Sequence, residues 1–75
     1  MTVNIEIGQW AAKYTKTGIF SLEVPSGATV EDVMQMLNLP QGETGLCAVS
    51  NKHVARGQSL NEGDYVKFHP SIVGG

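Results

Sequence analysis

Few residues of this 75-residue chain are of types that could do chemistry: the diglycine Gly74-Gly75, the lone Cys47, and the two histidines His53 and His69. The histidines and the cysteine do not make a metal site. No CxxC or HxxxH spacing is present, and four ligands would be hard to gather in so short a chain. Cys47 lies in an apolar segment with no base beside it, so an inert, structural thiol is expected. The serines fall in turns, and a small domain offers little second layer to orient a base, so no catalytic triad is credible. The remaining candidate is the Gly75 carboxylate. A terminal carboxyl has a pKa of about 3.3 to 3.7 and is an unreactive anion at neutral pH, so any chemistry there needs outside activation. Two residues without side chains suit entry into a cleft too narrow for a Cβ. Taken alone, the pair fits a frayed end equally well.

Composition narrows the classes. At 75 residues a single core is only just sufficient and a deep catalytic cleft is not expected, which weighs against a self-contained enzyme. Five basic and seven acidic residues give a net charge of -2, and Lys13, Lys16, Lys52, Arg56 and Lys67 are scattered. Nucleic acid and anionic membranes are therefore poor partners. One cysteine makes no internal disulfide, and the N-terminus shows neither a basic leader nor a long apolar run, so a soluble, cytoplasmic protein is expected. Hydrophobic content of 41% with 16% charge fits a folded domain.

The elements that must position the diglycine follow from periodicity. Val3, Ile5 and Ile7 alternate with polar residues, predicting a strand closed by Gly8. After an insert in which Trp10 and Tyr14 can share one side of a helical turn and lid the core, a second strand runs from Ile19 to Val24, with Phe20, Leu22 and Val24 in one phase. Pro25-Ser26-Gly27 breaks it. Thr29 matches an N-cap with Asp32 reaching back, and Val30, Val33, Met34 and Leu37 form the stripe of a helix that ends by Pro40; Glu31 and Gln35 face away. Residues 41–45 read as a loop, and Leu46 to Ser50 as a strand with both faces largely covered. Asn51 supplies a turn, His53 to Ala55 a short return strand, and Asn61-Glu62-Gly63-Asp64 another turn. In the last strand Val66 and Phe68 alternate with Tyr65, Lys67 and His69, and Phe68 is the expected core anchor. Pro70 lacks an N–H, so it is expected to end the pairing and send the tail off the sheet. Five extended residues from Ser71 to Gly75 would reach roughly 16 to 18 Å.

One helix and four or five strands in this order describe an α+β two-layer domain over residues 1–70, followed by a flexible diglycine tail at 71–75. A single helix covers one face of a mixed sheet. The opposite face is where a partner is expected to dock.

These residues resemble the ubiquitin-like β-grasp sulfur carriers of the ThiS and MoaD type. The order of elements matches along nearly the whole chain. The specific part is the turn Leu60-Asn61-Glu62-Gly63-Asp64, the strand Tyr65-Val66-Lys67-Phe68, then Pro70 and Gly74-Gly75, which is similar to a Leu-x-x-Gly-Asp-x-Val strand leading into a proline and a diglycine. Asn51 also falls where such carriers often have a turn asparagine. Ser71 stands where many molybdopterin-synthase small subunits have a second proline, and the Trp10 insert is diagnostic of neither branch, so the thiamin or molybdopterin pathway stays open.

The resemblance implies a cycle in which an E1-like adenylyltransferase couples AMP from ATP to Gly75. A sulfur donor then displaces AMP, leaving a thiocarboxylate for a sulfur-accepting synthase subunit. In that cycle the chain is a cosubstrate, not an enzyme. It binds no cofactor itself, since no Gly-x-x-x-x-Gly-Lys-Ser/Thr loop is present, and ATP and Mg belong to the partner. Gly75 is the reactive residue, Gly74 gives clearance, and Pro70, Ile72 and Val73 seat the tail in a partner groove. A lysine-conjugating, ubiquitin-like modifier and a non-covalent β-grasp binding module are the alternatives.

Overall fold

A computed structural model of the chain describes residues 1–72. Its elements are β1 (Thr2–Ile7), a single 3-10 turn (Gln9–Ala11), β2 (Gly18–Glu23), α1 (Val30–Met36), β3 (Thr44–Val49), β4 (Lys52–Val54) and β5 (Tyr65–Pro70). The five strands form one mixed sheet in the order β2-β1-β5-β3-β4. The last strand is thus the middle one. It runs parallel to β1 and antiparallel to β3, so it is held on both sides.

Alternation sets the two faces. Val3, Ile5 and Ile7 of β1 and Val66 and Phe68 of β5 are buried under α1 with Val30, Val33 and Met34, and Phe20 and Leu22 pack against that cluster from β2. Phe68 is the core anchor that its phase predicts, at 2% exposure. The other face carries a cross-strand row read from the register: Ile19, Glu6, Lys67, Ala48 and His53.

The helix start leaves no orphan donor. Thr29 Oγ1 accepts from the Asp32 N–H at 3.2 Å, and the Asp32 carboxylate accepts from the Thr29 N–H at 2.9 Å, a reciprocal capping box. The Val30 and Glu31 N–H groups donate to the Gln58 and Arg56 carbonyls, which binds the helix to the loop after β4. Thr29→Ala is accordingly expected to cost about 1 kcal/mol. For a domain of this size that lowers Tm by roughly 4–8 °C, measurable by thermal melting, with the far-UV spectrum unchanged.

Three expectations are corrected. The segment 41–45 is not all loop, because β3 begins at Thr44, where pairing with Pro70 starts. Nor is β3 covered on both faces: Leu46 is 59% exposed, because α1 covers only one face of the sheet. Glu31 does not simply face away; it is half-buried and accepts a hydrogen bond from the Gln41 amide, tying the helix to the approach to β3.

Candidate functional site

The site is built around the exit of β5. Strand β1 pairs with β5 only as far as Ile7 opposite Phe68, so from His69 onward β5 has β3 alone beside it. A proline is tolerated in this otherwise central strand because its missing N–H falls beyond the end of β1. Pairing nevertheless continues through Pro70, which sits opposite Thr44, and the Ser71 N–H donates to the Glu43 carbonyl at 3.0 Å. The expectation that Pro70 ends the pairing is therefore corrected by one residue. Pro70 removes its own donor but leaves the next amide free to bond.

Around this exit lie two hollows. On the face away from α1, Leu46, His53, His69, Pro70 and Ile72 line an open, largely apolar groove of about 520 Å³. The imidazoles of His53 and His69 meet edge to face across it, with centroids 6.3 Å apart. On the other side of the exit, Trp10, Lys13 and Glu43 line a smaller hollow of about 300 Å³ against Pro70 and Ser71. Trp10 serves both places: it packs partly against the core, as expected, and it flanks the base of the tail.

Of the residues singled out from sequence, Pro70 is exposed at the end of β5 and Ile72 is 91% exposed. Val73, Gly74 and Gly75 lie outside the described residues. The structure adds Leu46, His53 and His69, which line the same groove as Pro70 and Ile72. A signal for Leu46 was present, since strict alternation with core-facing Cys47 and Val49 leaves Leu46 and Ala48 on the opposite face. The short apolar run 46–49 hid it.

Electrostatics divide the outer face. Toward β1, the Tyr65 hydroxyl donates to Glu6 Oε1, and Lys67 Nζ lies 3.3 Å from Glu6 Oε2. The Tyr65 hydroxyl chiefly holds the Glu6 carboxyl below the ordinary glutamate range; burial, the next largest effect, opposes it, Lys67 and His69 add to the lowering, and the same hydrogen bond raises the Tyr65 phenol. Because the Glu6 value is lowered on folding, its stabilisation is present above the ordinary carboxylate range and is lost as pH falls through the folded value. Glu6→Gln is expected to melt below the wild type at neutral pH, with the gap closing in acid. A gap that stays constant with pH would refute this assignment.

Burial pushes the Cys47 thiol up, only partly opposed by Arg56, which keeps it protonated and poorly nucleophilic. Among the described residues, no three His, Cys, Asp or Glu side chains cluster to hold a metal ion. No helix of the described residues is long and apolar enough to cross a membrane.

Comparison with known proteins agrees with this architecture. No curated protein sequence matches the chain. Among solved structures, SAMP1 from Haloferax volcanii superposes with a TM-score of 0.75 at 18% identity, covering 100% of both chains. A Pyrococcus furiosus protein described as molybdopterin converting factor, subunit 1, gives 0.77 at 19%, covering 96% of this chain and 99% of that one. A ubiquitin-like protein from the archaeon Caldiarchaeum subterraneum gives 0.59 at 20%, covering 99% and 100%. At these identities the likeness establishes the fold, a ubiquitin-like β-grasp. The model of the ThiS family matches residues 10–75, a span that takes in the exit strand, Pro70 and the diglycine, and the chain belongs to the ThiS family.

Proposed function

We propose that this protein is a sulfur carrier whose Gly75 carboxylate is adenylated by an E1-like adenylyltransferase and converted to a thiocarboxylate. The observation that carries the reading is that the family match runs through Gly75, so the diglycine belongs to the matched segment. The central position of β5 supports it. β5 is held on both sides as far as Phe68 and by β3 alone at its end, which fixes where the chain leaves the sheet, and the last bonded amide among the described residues is that of Ser71. When drawn out in a partner, the four residues beyond Ser71 reach roughly 13–14 Å.

In the first step a Gly75 carboxylate oxygen attacks the α-phosphorus of ATP, and pyrophosphate leaves. A hydrosulfide-equivalent donor then attacks the acyl carbon; the C–S bond forms, the C–O bond to phosphate breaks, and AMP departs. The chain contributes the carboxylate and the handle and acts as cosubstrate. ATP and Mg are bound by the partner, and the sulfur passes to a synthase subunit in cofactor biosynthesis of the thiamin or molybdopterin type. The groove formed by Leu46, His53, His69, Pro70 and Ile72 is the surface on which the partners dock. It joins the tail base on the sheet face that α1 leaves bare.

Incubation with an E1-like enzyme, ATP and a sulfur donor, followed by intact mass measurement, tests the reading. Replacement of one oxygen by sulfur is the expected product. A likeness in fold to a protein described as a small archaeal modifier keeps a second reading, conjugation to lysines, in the same experiment. Ladders of isopeptide adducts without the thiocarboxylate would favour it, and neither product, with a tail-less chain still bound, would point to a non-covalent module.

A further inference from the structure

The geometry points to Gly45 as the residue that sets where the chain leaves the sheet, a positioning residue for charging of Gly75; the inference rests on the carrier reading above. A Cβ built on Gly45 would lie 2.6 Å from the Pro70 carbonyl oxygen and 3.1 Å from both the Pro70 carbonyl carbon and Ser71 Cα. All three are backbone atoms, so none can swing aside as a flexible side chain would. Backbone conformation does not explain this glycine. The described glycines with positive φ are Gly18, Gly27 and Gly63, and Gly45 is not among them. Nor is glycine needed for space nearby, since a Cβ on Gly42 would meet nothing within 4 Å. What the absent side chain permits is the close approach of the two backbones at the exit.

The approach is braced on one side only. The register between β3 and β5 shifts between Thr44 and Cys47, so that Gly45 and Leu46 together stand against the single residue His69 between Phe68 and Pro70. The start of β3 is tied down: the Thr44 hydroxyl donates to the Pro40 carbonyl at 2.9 Å, and Arg56 Nη2 donates to the Thr44 carbonyl at 2.6 Å and to that of Gln41 at 3.3 Å. Pro70 and Ser71 have lost β1 as a neighbour and are held across to Glu43 by the Ser71 amide. Added bulk at Gly45 is therefore relieved by displacing Pro70 and Ser71, by several tenths of an ångström. The same displacement loosens the Ser71 bond. Ile72, the next described residue, inherits the change in direction, and misplacing a reacting group by such distances slows reaction more than it weakens binding.

The test compares Gly45→Ala, Gly42→Ala and the wild type for rate of charging by an E1-like enzyme with ATP and a sulfur donor, read by intact mass, and follows amide exchange at Ser71 in the folded wild type. Gly45→Ala is expected to keep its fold and to lower kcat about tenfold with KM within about threefold. Gly42→Ala should charge as the wild type does, and the wild-type Ser71 amide should be protected. If the wild type is not charged, the carrier reading fails and takes this inference with it. If the wild type is charged and Gly45→Ala charges equally fast, or Ser71 exchanges like an unfolded amide, the inference is overturned and the carrier reading stands. Failure of Gly45→Ala to fold would also overturn it, because the contact would then serve the sheet and not the tail.

Discussion

A chain carrying one alanine after Gly75 is expected to form no detectable thiocarboxylate while melting at the wild-type temperature. The reason for the large effect is chemical. Adenylation needs a free carboxylate at Gly75, and an amide bond there leaves no oxygen nucleophile. The new terminus would sit one residue too far along and would bring a Cβ into a passage suited to glycine. The reason for the unchanged melting is structural. The last described hydrogen bond that holds the chain to the sheet is the Ser71 N–H to the Glu43 carbonyl, and among the described residues the last buried core side chain is that of Phe68. Intact mass after incubation with the adenylating enzyme, ATP and sulfur donor, beside a thermal melt, measures both halves. Thiocarboxylation of the extended chain at the wild-type rate would refute the assignment of Gly75.

Leu46→Glu is expected to raise KM for the adenylating partner by about 30- to 150-fold, with little change in kcat and none in fold. Leu46 is 59% exposed and stands in the groove beside His53, His69 and Ile72, so a carboxylate there meets water in the free protein at little cost. On docking, the charge would be carried out of water into a largely apolar groove. A hot-spot position at the centre of an interface costs about 2–3 kcal/mol when altered, which is the stated range in affinity. Gln35→Glu, an exposed position on the helix side, is the control and should leave KM unchanged. Steady-state charging kinetics of both variants, with melting curves, decide the matter. An unaltered KM for Leu46→Glu would place the partner elsewhere.

The two predictions rest on different levels of legibility. Strand phase was readable because period-two alternation places Val3, Ile5, Ile7, Val66 and Phe68 on one face whatever the neighbours are. The cap was readable because Thr29 and Asp32 bond to each other's backbone within one turn. These are local interactions, and local sequence specifies them. Leu46 was misread because an apolar run of four residues says nothing about which face a single helix will cover. The 41–45 segment was misread because Thr44 and Gly45 become strand only through pairing with Pro70, 26 residues away in the case of Thr44.

From its sequence alone this protein's element order, helix cap, core phase and terminal Gly-Asp turn, proline and diglycine were determined, and with them the family. Each depends on residues close together in the chain. Only the tertiary structure decided that β5 lies between β1 and β3, that bonding persists to Ser71, that Arg56 braces the start of β3, and that Gly45 meets Pro70. Those facts are contacts between distant segments. They follow from how one helix packs on one face of a mixed sheet, leaving an apolar groove on the other face beside the point where the chain departs.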